Sequence, residues 1–285
     1  MSDTSRHSAP APGLSNPGGQ TPANGPTGAD RVRQVVVLLG ALLAVAGAAL
    51  GSGAGGGQPV SEAADGALSA DATIVAPGSP AFTIWTVIYV GLVLFAVVQA
   101  LPGRADDARL RATAWWVLAS MLLNAAWIGV VQAGWLWGSV AVIACLVAVL
   151  SVLLVRLVRL APSRRLDMIV TDVTVGLYLG WVCVATLANT AAALAVSEVG
   201  GLGLGPSGWG AVLVVLGALV AVAVALFGAR RPSITIPVGL AAGWGIAWIA
   251  VARVQGPLVD ETVAVVATVA AVLAAATPVV LALRR

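Results

Sequence analysis

The chain has 285 residues, 59% of them hydrophobic and only 9% charged, where soluble domains average about 25% charged. That composition excludes a soluble domain and describes an all-α, polytopic membrane helix bundle. Every basic residue is an arginine, so the formal net charge of +3 points to no nucleic-acid partner; the arginines sort by membrane side instead.

Residues 1–33 are rich in Pro, Gly, Ser and Ala without periodicity and read as a disordered cytoplasmic tail. Arg31 and Arg33 precede an apolar run over 35–50, read as the first membrane helix; a cleaved signal peptide is the rival reading. The stretch 51–57 is Gly-rich and reads as flexible loop, and the connection over 51–79 carries Glu62, Asp65 and Asp71 with no basic residue. Further helices are expected over 81–101, 112–132, 139–160, 169–196, 209–229, 234–254 and 261–283. The turn over 102–111 carries Arg104, Arg109 and Arg111, and a Gly-rich loop lies over 200–208. The fifth helix exceeds the roughly 20 residues a span needs, which implies tilt or a kink.

With the N-terminus placed inside, every arginine except Arg253 falls in an inside segment. Eight helices with both termini cytoplasmic satisfy this distribution, in the inner membrane of a bacterium. Membrane lipid is the expected surroundings, and a homodimer stays open as the assembly.

The cysteines, Cys145 and Cys183, sit in apolar runs and read as small buried hydrophobes rather than a disulfide. The single histidine is His7, in the tail. No spanning helix therefore offers an imidazole to haem or a metal, which excludes a haem-handling oxidoreductase; neither a metal site nor a resident cofactor is expected. A phosphate-binding Gly-Lys loop, His-Glu-x-x-His, Cys-x-x-Cys and the G-x-S-x-G elbow are all missing, and the chain does not read as an enzyme.

Polar and aromatic residues concentrate on stripes. At the start of the second helix the sequence reads S-P-A-F-T-I-W-T-V-I-Y over 79–89. Pro80 suits a first helical turn, and Phe82, Trp85 and Tyr89 share a face. The third helix aligns Trp116, Ser120, Asn124 and Trp127; the fifth aligns Thr174, Tyr178, Trp181, Ala185 and Asn189. An intramembrane Asn is costly unless partnered, so Asn124 and Asn189 are either interhelical glue or ligand contacts. Trp135 and Trp137 read as membrane-edge residues, as does Trp209. Gly176-x-x-x-Gly180 is a flat packing patch. Asp172, the acid set well inside a helix, is read first as a local ion pair with Arg164 or Arg165, and second as a substrate or proton group.

These motifs resemble the TspO/MBR family, the tryptophan-rich sensory proteins that include the mitochondrial translocator protein. The correspondence rests on Pro80, Phe82, Trp85 and Tyr89, on Leu123, Asn124 and Trp127, and on Tyr178, Trp181, Ala188 and Asn189, in that order. The resemblance implies a five-helix core over 34–196, followed by three additional helices over 197–285. The family's first loop usually carries Pro-Pro-x-Trp, whereas here 76–80 reads A-P-G-S-P with no Trp. The segment G-L-A-A-G-W over 239–244 echoes G-L-Y-L-G-W over 176–181, without establishing a repeat. By resemblance, the chain is expected to be a sensor or receptor for a planar hydrophobic ligand such as a porphyrin. The ligand-binding residues expected are Trp85, Tyr89, Asn124, Trp127, Tyr178, Trp181 and Asn189, converging between helices two, three and five. A secondary transporter of a small hydrophobic or tetrapyrrole solute is the alternative. An enzyme acting on porphyrins ranks last, for want of an acid–base pair at pocket depth.

Overall fold

The computed structural model describes residues 25–51, 58–198 and 203–285. Most of the tail expected over 1–33, with His7, and nearly all of the Gly-rich stretch 51–57 lie outside the described residues, as does part of the loop 200–208. Among the described residues the regular elements are helices, and eight are long and apolar enough to cross a membrane. They are α1 (Gly28–Gly51), α2 (Ser79–Ala100), α3 (Ala108–Gln132), α4 (Leu136–Arg159), α5 (Arg165–Val196), α6 (Gly205–Phe227), α7 (Pro232–Gln255) and α8 (Glu261–Leu283).

Local chemistry sets the ends. At the start of α1, Thr27 and Asp30 cap each other: Thr27 N donates to Asp30 Oδ2 at 2.9 Å and Asp30 N to Thr27 Oγ1 at 3.3 Å. This reciprocal cap begins the helix about two turns before the apolar run does. Asp107 caps α3 by accepting from Arg109 N at 2.9 Å and Leu110 N at 3.0 Å, which draws residues expected in a turn into the helix. Asp260 caps α8 through Val263 N at 2.8 Å, and that helix begins at Glu261, where the sequence places it. The first turn of α2, Ser79–Thr83, is a 3₁₀ turn with Pro80 at its start. Gly134 takes a φ of 73° in the tight turn between α3 and α4, a conformation that suits glycine. The length of α5 is accommodated by a π-helical stretch, Met168–Val173.

The helices pack as a chain of neighbours: α1 on α2 and α3, α3 on α4, α4 on α5, α5 on α7, and α7 with α6 and α8. Two apolar cores result. One runs through α1–α5 and takes in Ile234, Val238 and Ala241 of α7. The other is built from α6, α7 and α8 with Val184 of α5 and Val75 of the loop before α2. They meet at the α5–α7 seam, where a Cβ at Gly176 would stand 2.6 Å from Ile234 O and one at Gly180 would strike Val238 O. The flat patch read from the sequence is thus a close-packing surface. Outward faces carry Val87, Val90 and Leu94 of α2, Val215 and Leu219 of α6, and Val265, Val269 and Val272 of α8, all exposed. An exterior this apolar needs lipid, and the molecule is a multi-pass membrane protein.

Candidate functional site

All seven residues singled out from the stripes lie in one region between α2, α3 and α5. Trp85 is its centre. Its ring stacks on Tyr89 at 5.3 Å and meets Tyr178 edge-on at 5.7 Å and Trp181 at 6.4 Å. Phe82 adds an edge contact to Trp181 at 5.5 Å. Such pairs favour offset or edge geometry because the ring faces are negative and the edges positive. Trp127, Tyr178, Trp181, Asn124 and Asn189 are buried; Trp85 and Tyr89 are half-buried.

The polar groups of the cluster are mostly paired across helices. Asn124 Nδ2 donates to Tyr89 Oη at 2.9 Å, joining α3 to α2. Trp127 Nε1 donates to Asn189 Oδ1 at 3.2 Å, joining α3 to α5. Asn189 Nδ2 donates in turn to Ser139 Oγ of α4 at 3.0 Å, and Tyr178 Oη donates to Ser120 O at 3.0 Å. The glue reading of the two asparagines therefore holds at the level of geometry. Two buried atoms nevertheless find no hydrogen-bond partner among the described residues: Trp181 Nε1 and Asn124 Oδ1. In an apolar interior an unpaired polar atom is costly.

Space accompanies these atoms. A cavity of about 280 Å³ lies beneath the loop 58–78, lined by Val60, Ser79, Phe82, Trp85, Tyr89 and Trp127 among others. A second of about 40 Å³ reaches Trp127, Trp181 and Asn189 from the loop side, and a third of about 20 Å³ touches Trp85, Asn124 and Trp181. A larger cavity, about 940 Å³, lies apart from the aromatic cluster, against α6.

Residues 34–280, which include all of α2–α7 and most of α1 and α8, match a family model described as TSPO-like protein. The chain belongs to that family. No curated protein and no solved structure matches it. The TSPO-like match runs on through α6, α7 and most of α8, beyond the aromatic cluster.

The structure corrects one pairing expected in this TSPO-like chain. Asp172 does form an ion pair, but with Arg109 of α3, not with Arg164 or Arg165, and it also accepts from Ser233 Oγ at 2.8 Å. The π-helical stretch turns Asp172 toward α3 and α7, while Arg164 and Arg165 are exposed. Arg109 is further held by Nε donating to Leu160 O at 3.0 Å. Asp167, not singled out from the sequence, pairs with Arg104, and Asp30 takes both Nε and Nη2 of Arg111 at 2.7 and 2.6 Å. These pairs form an ionic layer across α1, α3, α5 and the turn before α3, with Ser233 of α7 hydrogen-bonded to it, at the arginine-rich end. Trp116, at one end of the α3 stripe, belongs to that layer too, with Arg156 5.1 Å over its ring.

Sequence reasoning missed Ser139 and the loop. Ser139 is a small polar residue in an apolar run, and only the approach of α4 to α5 marks it. The loop residues Val60, Leu68 and Thr73 follow no period, yet they line the cavities.

Proposed function

We propose that the aromatic interior binds a planar hydrophobic ligand such as a porphyrin, and that the chain works as a non-enzymatic membrane receptor or sensor. The observation that carries this reading is the cavity of about 280 Å³ lined by Trp85, Tyr89 and Trp127, which shares Phe82, Trp85 and Trp127 with the void of about 20 Å³ lined by Asn124 and Trp181, whose Oδ1 and Nε1 are buried without a partner among the described residues. Tryptophan faces stack on flat rings, and the two unpaired atoms offer one donor and one acceptor to ring substituents. The cavity falls just below the size of ligand sites, which span about 300–1,000 Å³. A full tetrapyrrole therefore enters only when the loop 58–78 moves outward. Asp172 is committed to Arg109 and Ser233, which leaves the aromatic cluster without an acid–base pair and argues against catalysis there. The arginine-rich end is proposed to face the cytoplasm of a bacterial inner membrane.

Titration of purified protein with protoporphyrin, followed by tryptophan-fluorescence quenching, tests the reading. Saturable quenching is expected, weakened roughly tenfold or more by Trp127→Ala or Trp181→Ala, which corresponds to about 1.4 kcal/mol. Equal quenching by unrelated apolar compounds would contradict it. A secondary transporter is the competing reading, favoured by the ionisable residues buried within α3 and α5. Reconstituted vesicles separate the two: gradient-driven porphyrin uptake supports transport, and binding without flux supports a receptor.

A further inference from the structure

The loop that covers the aromatic cluster, and the first turn of α2 that follows it, are held from the other half of the molecule, by α7. Trp244 Nε1 donates to Ala81 O at 2.9 Å. Gly78 N donates to Trp248 O at 3.2 Å. Arg253 donates through Nη1 to Thr73 O at 3.2 Å and through Nη2 to Ala70 O at 3.1 Å. Arg253 is 0% exposed, and its Nε has no partner among the described residues. A guanidinium buried so completely is expensive, and its two hydrogen bonds both go to the loop. Among the described residues it is also the one arginine that falls at the end opposite the arginine-rich layer.

The segment that Arg253 grips is a partition. On one side lies the cavity of about 940 Å³, with Ile74, Leu194, Pro206, Trp209 and Leu213 in its mostly apolar wall. On the other lies the cavity of about 40 Å³ that reaches Trp127, Trp181 and Asn189. Thr73 lines both. Along α5 the two linings follow one another, Ala188 and Asn189 on the inner side and Ala191 and Ala195 on the outer. The outer space is large enough for a drug-sized molecule, at about 300–1,000 Å³, and the inner one is not.

We propose that the outer cavity is the chamber through which a planar apolar ligand passes to the aromatic cluster, and that Arg253 latches the partition at residues 70–73 shut. The chamber rests on the ligand-binding reading above; the latch does not. The role this gives to α7 is control of access, exerted through the loop.

Two readouts test it. Amide hydrogen exchange over residues 70–78 is measured without ligand, and protoporphyrin association and dissociation are measured by stopped-flow on reconstituted protein. Arg253→Met keeps most of the volume and removes both hydrogen bonds. It should raise exchange over 70–78 by about tenfold or more while the helices stay protected. It should also speed association and dissociation together, leaving the equilibrium affinity within about threefold. Ala195→Trp, at an exposed position of the chamber wall, should slow both rates. Unchanged exchange in Arg253→Met overturns the latch, and unchanged association in Ala195→Trp overturns the chamber. Should Arg253→Met lose protection throughout the bundle, Arg253→Lys replaces it, since one ammonium cannot span both carbonyls; exchange over 70–78 as slow as in the unaltered protein then overturns the latch. Wild-type protein that binds no protoporphyrin removes the binding reading and the chamber with it, and the exchange result still decides the latch.

Discussion

The two halves of the bundle solve the problem of packing helices in lipid differently. Between α2, α3, α4 and α5 the interior is made of large rings and amides: Trp85, Tyr178 and Trp181 meet edge to face, and Asn189 is shared between Trp127 and Ser139. Between α7 and α8 it is made largely of glycine and alanine, with Ile246, Ile249 and Val263 as the larger buried members. A Cβ at Gly239 would stand 2.5 Å from Ala274 O and one at Gly243 2.9 Å from Ala271 O, while Ala242, Ala267, Ala270 and Ala274 fill the rest. Small residues let backbones approach until little space is left. Large irregular rings leave gaps and strand polar atoms, as at Trp181 Nε1 and Asn124 Oδ1. The difference separates the aromatic interior, suited to holding a ligand, from the α7–α8 seam, suited to holding a shape.

Substitutions can break that contrast or sharpen it. The largest effect is expected where both halves are tied together. Asp172→Ala strands Arg109 in the ionic layer, and breaking a buried pair costs about 3–5 kcal/mol; unfolding in detergent should show the loss. Asp172→Asn, the milder change, should leave porphyrin affinity intact in the protein that folds. A fall in affinity with normal folding would instead give Asp172 a functional part. Next is Gly180→Ala at the α5–α7 seam, where even one methyl meets Val238 O. Overpacking of this kind costs about 1–3 kcal/mol and should lower stability more than affinity. Asn189→Leu should do the reverse in proportion. It leaves Trp127 Nε1 without its acceptor, at about 1–3 kcal/mol, and should weaken quenching by protoporphyrin as well. If Gly180→Ala and Asn189→Leu shift stability and affinity in the same ratio, the two halves are not functionally distinct. The smallest effect is expected at Trp135, 66% exposed at the turn into α4. Trp135→Ala should change stability by no more than about 0.5 kcal/mol.

Much of this was legible in the sequence because it is periodic. The spans follow from apolar runs, and the aromatic stripes follow from residues three or four apart, so Trp85, Asn124, Trp127 and Trp181 could be placed on inward faces before any coordinates. What was not legible depends on tertiary approach. The partner of Asp172 is decided by a π-helical stretch and by Arg109 reaching across from α3, and neither has a sequence period. Helix starts moved outward wherever a capping Asp or Thr extended the apolar run, as at Thr27 and Asp107. The grip of Arg253 on the loop joins residues about 180 positions apart in an aperiodic segment. Charge sorting set Arg253 apart as the exception but could not say what it holds.

Trp115 and Trp127 offer the most direct test of the central claim, that the aromatic interior is the ligand site. Both lie on α3; Trp115 is 43% exposed on the outward face and Trp127 is 8% exposed within the cluster. Equilibrium affinity for protoporphyrin should be measured for Trp115→Ala and Trp127→Ala in the same lipid. The account predicts roughly a tenfold loss for Trp127→Ala, about 1.4 kcal/mol, and no measurable loss for Trp115→Ala. Equal losses, or a loss confined to Trp115→Ala, would place the porphyrin on the lipid-facing surface and contradict it.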